Sequence, residues 1–318
     1  VDSISRTLGS SPKHKPEKAG QYLHLVGAHA NLITAAMFLT GMAANPLVSK
    51  AAFDIFEIQF DWFTWAKGGI VPGLIGLTGL PLLINYISTP TIDSIQPIRE
   101  KIQEDIQSLG PWTRQEIITA CTLGVMLILW STKPFHGWGT TTVAFLGLVI
   151  ILLTRTLTWD QLVKNHKAWD ALIWLGGLLP LATGLKDLGF IGWFGNLIEN
   201  GLTGISPIML LIALTLIYFY SMYFFSMLTA HIVALVGTIF LVASGVGLNP
   251  FLVVGVMAYF SNLCGCLTNY STGPVIIYFG NGYVQPLAWF RIGFIVSIYH
   301  LVVWLGIGSI WWKMIGWW

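Results

Sequence analysis

The sequence SNLCGCLTNYSTGPVIIYFGNG, residues 261–282, interrupts an apolar stretch that would otherwise cross a membrane. A span of about 30 Å needs roughly 20 apolar residues, yet this stretch places hydroxyl and amide side chains and Pro274 at membrane depth. Backbone N–H and C=O groups without partners are costly in lipid, so a broken helix persists only where protein or a wet cavity surrounds it. The stretch predicts such a break with a binding site beside it; the alternative is a proline kink relaxed by neighbouring Ser and Thr.

The composition predicts a membrane protein. Of 318 residues, 55% are hydrophobic and 9% are charged, whereas a soluble domain has about 25% charged residues. Residues 206–248 form a pair of apolar helices with a polar break near 226–231. Apolar segments long enough to cross lie at 22–46, 68–88, 115–132, 140–157, 170–187, 250–275 and 287–312. We expect an all-α, multi-pass integral membrane protein in contact with lipid.

The placement of Lys and Arg predicts the topology, because cytoplasmic loops carry an excess of both. If the spans alternate and 206–248 enters and leaves by one face, the clusters at residues 6–18, 99–114 and 155–167 all fall on one side. We therefore expect 206–248 to be a re-entrant hairpin; a single crossing, the alternative, would exchange the sides of Arg291 and Lys313. The net charge of +2 gives no reason to expect a nucleic-acid partner.

The first span and the penultimate one are similar in sequence. Each ends in a small or polar break, at residues 41–46 and 270–274, and an aromatic and basic segment then opens the next span. On this topology the two spans run in opposite directions, which is typical of an inverted repeat. The predicted divisions are a polar loop or tail (1–21), the end of the first repeat with a broken helix and a scaffold helix (22–96), a cytoplasmic linker helix (97–114) and the second repeat (115–318).

The two breaks and the hairpin tip supply the candidate substrate-binding residues. Helix N-termini that meet at a break carry partial positive charge, and small polar residues there suit an anion. His231 either carries charge to an acidic substrate or caps the hairpin as a neutral donor. Asn262 and Thr268 approach the second break and either line the cavity or, as we expect, bridge helices. The candidates are Ala44, Asn45, Pro46, Thr229, His231, Ser271, Thr272, Gly273 and Pro274.

The sequence lacks the residues and motifs that several other functions require. The centres of the spans contain no Asp or Glu, which argues against a carboxylate proton relay and against a cationic substrate. The His residues have no Cys or carboxylate at metal-ligand spacing, and the motifs of ATP-driven pumps, zinc proteases and serine hydrolases are missing. We therefore expect neither an enzyme nor a metal or organic cofactor.

Residues 22–318 resemble the C-terminal two-thirds of the divalent anion:sodium symporter family, and in particular its plastid-type 2-oxoglutarate/malate translocator branch. The resemblance implies an elevator-type transporter, homodimeric, in which each of two inverted repeats supplies a re-entrant hairpin and a broken helix. The segments that carry it are MFLTGMAANPL (37–47), FTWAKGGIVPGL (63–74), YFFSMLTAHI (223–232), FSNLCGCLTNYSTGPVIIYFGNGYV (260–284) and WLGIGSIWWKMIGWW (304–318).

The resemblance also implies a function, exchange of 2-oxoglutarate for malate by alternating access. The membrane would be the plasma membrane in a bacterium or the inner envelope in a plastid. The family's hairpin tips carry Ser-Asn-Thr, whereas the tip here is Met227-Leu228-Thr229, which argues against sodium as a coupling ion. The first repeat's hairpin is expected before Val1. The alternatives are a sodium-coupled di- or tricarboxylate symporter, and a membrane-embedded enzyme or non-transport subunit.

Overall fold

The computed structural model describes residues 1–92, 94, 96–165, 169, 188, 206–245 and 247–318. Within these ranges all secondary structure is helical, apart from an isolated bridge between Ser11 and His14. The predicted all-α fold is therefore confirmed for this part of the chain. The predicted span at 170–187 lies outside the described residues.

The helices before the undescribed region include both long spans and short connecting segments. Their bounds are α1 Asp2–Thr7, α2 Gly20–Met37, α3 Asn45–Phe56, α4 Trp62–Ile87, α5 Gln96–Leu109, α6 Arg114–Ser131, α7 Lys133–His136, α8 Thr140–Leu153 and α9 Trp159–Val163. The later helices are α10 Pro207–Ser221, α11 Leu228–Gly245, α12 Pro250–Leu263, α13 Gly273–Gly280, α14 Pro286–Leu301 and α15 Ser309–Met314. A π-helix, Val302–Gly308, joins α14 and α15 into one continuous rod.

Five helical segments in the described ranges are long and apolar enough to cross a membrane: Trp62–Ile87, Pro207–Phe224, Leu228–Gly245, Pro250–Leu267 and Pro286–Met314. They confirm the prediction of a multi-pass membrane protein. The predicted hairpin at 206–248 consists of α10, which a 3₁₀ turn extends to Phe224, and α11, and each of these two segments has the length and composition to cross by itself. Re-entry by one face therefore stays a prediction.

Two broken helices share one order of elements. α2 continues into a 3₁₀ turn at Leu39–Gly41 and then α3, and α12 continues into a 3₁₀ turn at Cys264–Leu267 and then α13. Each second helix has Pro in its first turn, where the missing N–H costs no helical hydrogen bond. The sequences align from Leu39-Thr40 to Pro46 and from Leu267-Thr268 to Pro274. The inverted orientation of the two repeats stays a prediction.

Aromatic side chains hold α4, α12 and the C-terminal rod together. The Tyr259 hydroxyl donates to the Trp65 carbonyl at 2.9 Å, and Trp312 Nε1 donates to the Gly68 carbonyl at 2.9 Å. Gly68 permits this packing, because a Cβ there would overlap the rings of Trp317 and the Tyr259 hydroxyl. All residues of α12 from Leu252 to Leu263 are buried, so this helix is the centre of the core.

Residues 1–21, predicted to be a polar loop or tail, contain α1 and a 3₁₀ turn at Pro16–Lys18. The Tyr283 hydroxyl donates to Asp2 Oδ1 at 2.8 Å, and its ring stacks on His24 with centroids 4.2 Å apart. A Cβ on Gly20 would overlap the Tyr283 ring. The segment is thus packed against the loop between α13 and α14.

Candidate functional site

Asn45 organises the first break. It is the first residue of α3 and fully buried. Its Nδ2 donates to the carbonyls of Ala35 and Phe38, both at 3.1 Å, and its Oδ1 accepts from Asn262 Nδ2 at 2.8 Å. The carbonyls at the end of a helix lack intrahelical partners. The Asn45 side-chain amide therefore donates to carbonyls at the end of α2 and also links the first break to α12.

The second break is bonded to the tip of α11. Ser271 Oγ donates to the Gly265 carbonyl at 2.8 Å, and the Ser271 carbonyl accepts from the Leu228 N–H at 2.9 Å. Thr272 caps α13, because its Oγ1 accepts from the Val275 N–H at 3.3 Å. The N-terminal turns of α11 and α13 therefore meet at one place, which we name the tip junction and define by residues 228–229 and 271–273.

His231 faces the protein interior. Its Nε2 lies 2.9 Å from the Tyr218 carbonyl and 2.8 Å from Ser221 Oγ. A carbonyl only accepts, so Nε2 carries hydrogen. Its Nδ1 lies 3.9 Å from Cys264 Sγ, in the 3₁₀ turn of the second break. His231 therefore donates to the end of α10, and the choice between its two predicted roles, a charged contact to an acidic substrate or a neutral donor that caps the hairpin, stays a prediction.

The candidates differ in their access to a ligand. Ala44, Asn45, His231 and Ser271 are buried, so they shape and hold the breaks. In contrast, Thr229 and Thr272 are half-buried, and Pro46, Gly273 and Pro274 are exposed. At the tip junction the accessible side-chain donors are the Thr229 and Thr272 hydroxyls, whereas the Leu228 N–H at the start of α11 is already bonded to the Ser271 carbonyl. This arrangement offers hydrogen-bond donors and partial positive charge to an anion.

A cavity of about 690 Å³ opens beside the first break. Its lining includes Thr40, Pro46, Lys50, Asp61 and Lys133. Lys133 Nζ lies 3.3 Å from Asp61 Oδ2, and these side chains are only 23% and 19% exposed, so solvent screens the pair weakly. Two ammonium groups therefore lie near the first break, each paired with a carboxylate, Lys50 with Asp54 and Lys133 with Asp61.

No cluster of three or more His, Cys, Asp or Glu side chains in the described part of the chain is arranged to hold a metal ion. A family model, described as the sodium:sulfate symporter transmembrane region, matches residues 1–318. The chain belongs to this family. The resemblance predicted from the sequence is confirmed, and this is a family of transporters rather than of enzymes.

Curated relatives of this sodium:sulfate symporter family member include a putative malate transporter, YflS, of Bacillus subtilis (40% identical over 319 residues). Dicarboxylate transporter 1, chloroplastic, of Spinacia oleracea is 38% identical over 321 residues. The L-tartrate/succinate antiporter of Escherichia coli is 31% identical over 315 residues. These alignments cover 100%, 100% and 98% of this chain, but only 67%, 56% and 61% of the three relatives.

Sequence reasoning missed part of the polar environment of this family member's breaks. Lys50 follows Pro46 by four residues and therefore lies on the same helical face, a signal that was available. Lys133 belongs to α7, and its link to Asp61 depends on tertiary packing that no local pattern encodes. Asn262 was predicted to bridge helices, and its bond to Asn45 does so.

Proposed function

We propose that this symporter-family protein carries dicarboxylates across the membrane and exchanges 2-oxoglutarate for malate by alternating access. The observation that carries the proposal is the bond between the Leu228 N–H and the Ser271 carbonyl, 2.9 Å long. This bond brings the starts of α11 and α13 together and leaves Thr229 and Thr272 accessible. Within the described part of the chain no carboxylate is seen in contact with these donors, and such donors favour an anion over a cation.

The relatives' names support a substrate with two carboxylates. Malate, L-tartrate and succinate, in those names, are all small dicarboxylates. One carboxylate binds at the tip junction. The second carboxylate binds at the first break, which the repeat relates to the second break. Asn45 and Pro46 begin the helix there.

Exchange proceeds without sodium, because the tip residues Met227 and Leu228 lack the oxygen ligands that Ser and Asn would supply to a hard cation. Sodium-coupled symport is the second candidate, favoured by the description of the family. By resemblance to the family the working unit is a homodimer, which cross-linking in membranes would test.

Counterflow in proteoliposomes tests the function. The protein, together with any sequence that precedes this chain in its gene, is reconstituted with internal malate, and uptake of labelled 2-oxoglutarate is measured. We expect uptake that requires internal malate and is unchanged when choline replaces sodium. Uptake into empty vesicles that follows a sodium gradient would favour the symporter, and no dicarboxylate uptake in any condition would overturn the proposal.

Two threonine variants test the site. Thr229→Ala and Thr272→Ala should lower the exchange rate about tenfold or more, since a hydrogen bond to a charged group contributes about 1.5–3 kcal/mol. Thr272→Ser keeps the hydroxyl, both for the helix cap and for the substrate, and should retain exchange, which shows that any loss in Thr272→Ala comes from the hydroxyl and not from the methyl group. Thr78→Ala is the matched control, because Thr78 is exposed on α4 and bonds only its own helix. Wild-type exchange in both alanine variants would remove the tip junction from the site.

A further inference from the structure

A second polar cluster lies inside the protein, away from the tip junction. It consists of His29 on α2, Trp289 and His300 on α14, and Trp304 in the π-helix, all with relative exposure of 0%. Their six side-chain nitrogens have no hydrogen-bond partner within the described part of the protein. Buried polar atoms are nearly always paired, so a cluster of this kind points to a ligand.

The four side chains lie along a row. The His29 and Trp289 rings lie 5.8 Å apart, and His300 follows Trp289 by eleven residues, about three turns, so that both lie on the same face of α14. Trp304 follows His300 by about one turn. Its Nε1 and the Ile33 side chain both lie within 4 Å of the Cβ position at Gly76, and Ile33 is one turn beyond His29.

The π-helix supports a site at this end of the row. A π-helical turn widens the helix and is often found at functional positions. The segment Val302–Gly308 has seven such residues and begins two residues after His300. The N–H and C=O groups of a widened turn are less well aligned for hydrogen bonding than those of an α-helix. A ligand that inserts at such a turn can stabilise the irregular helix.

The other end of the row approaches the second break. Cys266 Sγ lies 3.6 Å from the Gly293 carbonyl, and Gly293 is one turn from Trp289. Thr268, two residues after Cys266, is also buried, and its hydroxyl has no partner in the described structure. The row therefore extends from the back of the second break to the π-helix.

We propose that His29, Trp289, His300 and Trp304 bind a short file of internal water molecules. Indole nitrogens only donate, whereas a neutral imidazole both donates and accepts, so the ligand must also do both. Water meets this requirement, and buried waters commonly satisfy such groups. A small anion would leave the accepting nitrogens unpaired, and α2 has no Lys or Arg while Arg291, the one basic residue of α14 besides its histidine, is exposed.

X-ray radiolytic footprinting of the purified protein in heavy-oxygen water tests the proposal, because buried side chains are oxidised when bound water lies against them. Trp289 and Trp304 should incorporate heavy oxygen several-fold more than Trp65 and Trp312. These two controls have equally buried rings, but their Nε1 atoms donate to the carbonyls of Ala36 and Gly68 at 2.7 and 2.9 Å. Equal labelling of all four indoles, high or low, would overturn the proposal.

Variants of one histidine sharpen the test. His300→Leu should reduce labelling of Trp304 several-fold, whereas His300→Gln, which still donates and accepts, should retain it. If His300→Leu does not fold, the glutamine variant and the two control indoles still decide the outcome. Labelling that appears at Trp289 and Trp304 only after gluconate replaces chloride would assign the site to an anion and overturn the water assignment.

Discussion

At the scale of single residues, the first break depends on the amide of Asn45. Replacement by Ala removes two bonds to helix-end carbonyls and one to Asn262. We expect Asn45→Ala to lower the free energy of unfolding by about 2–4 kcal/mol, since each buried group left unpaired costs about 1–3 kcal/mol. Asn45→Asp should be worse, because a carboxylate would face two carbonyl oxygens.

The measurement is thermal unfolding in detergent for Asn45→Ala, Asn262→Ala and the double variant. Residues in contact give non-additive changes, so the double variant should lose less than the sum of the two single losses. Additive losses, or an Asn45→Asp protein as stable as the wild type, would show that this bond does not hold the first break.

Tyr283 lies outside the membrane-spanning segments, and we expect its hydrogen bond to make the stability of the N-terminal segment depend on pH. Partial burial, and then the hydrogen bond to Asp2, raise the pKa of the Tyr283 hydroxyl to about 12. The neutral phenol is the donor. Its contribution to stability is therefore complete below the ordinary value of about 10 and is lost as the pH rises through about 12.

The test is an alkaline titration in which tyrosinate absorbance reports ionisation and limited proteolysis reports the release of α1. We expect α1 to become susceptible to protease only as Tyr283 ionises, and Tyr283→Phe to lose the pH step while remaining susceptible throughout. Release of α1 in wild-type protein near pH 7 would contradict the assignment.

At the scale of elements, α14 packs against the backbone of the second break. A Cβ at Gly293 would overlap the Cys266 carbonyl and lie 3.4 Å from the Leu267 Cα. Because these are backbone atoms, they cannot rotate away. Gly293→Ala should therefore lower the apparent Tm by several degrees, in line with a cost of about 1–3 kcal/mol for overpacking.

Gly306→Ala is the matched control, since a Cβ at Gly306, on the same rod, has no heavy atom within 4 Å. Its apparent Tm should match that of the wild type. Equal Tm values for the two variants would mean that α14 and the second break are not in close contact.

The breaks also show what sequence can predict at this scale. Pro46 and Pro274, with small and polar neighbours, predicted where α3 and α13 begin. The 3₁₀ turns that precede them were not predicted, because Cys264 to Leu267 contain no proline and continue an apolar pattern. Gly293 packs closely against this turn, where the backbone departs from α-helical geometry. Gly293 belongs to a different helix, α14, so no local sequence pattern encodes the contact.

At the scale of the whole molecule, composition and length were sufficient to predict a multi-pass, all-helical protein, and motif resemblance was sufficient for its family. The pairings that build the sites were not predictable. Asn45 with Asn262 and His29 with Trp289 join opposite ends of the sequence, and a single sequence carries no signal for contacts at that separation. The charged cavity at Lys133 was missed for the same reason.

The proposed transport mechanism makes the tip junction the place where substrate binds. A cryo-electron microscopy map of the protein with malate tests this most directly. We expect density for a dicarboxylate within about 3 Å of the Thr229 and Thr272 hydroxyls, at the start of α11 and α13. Malate density only in the cavity beside Lys133, with the tip junction unoccupied in a protein that exchanges dicarboxylates, would contradict it.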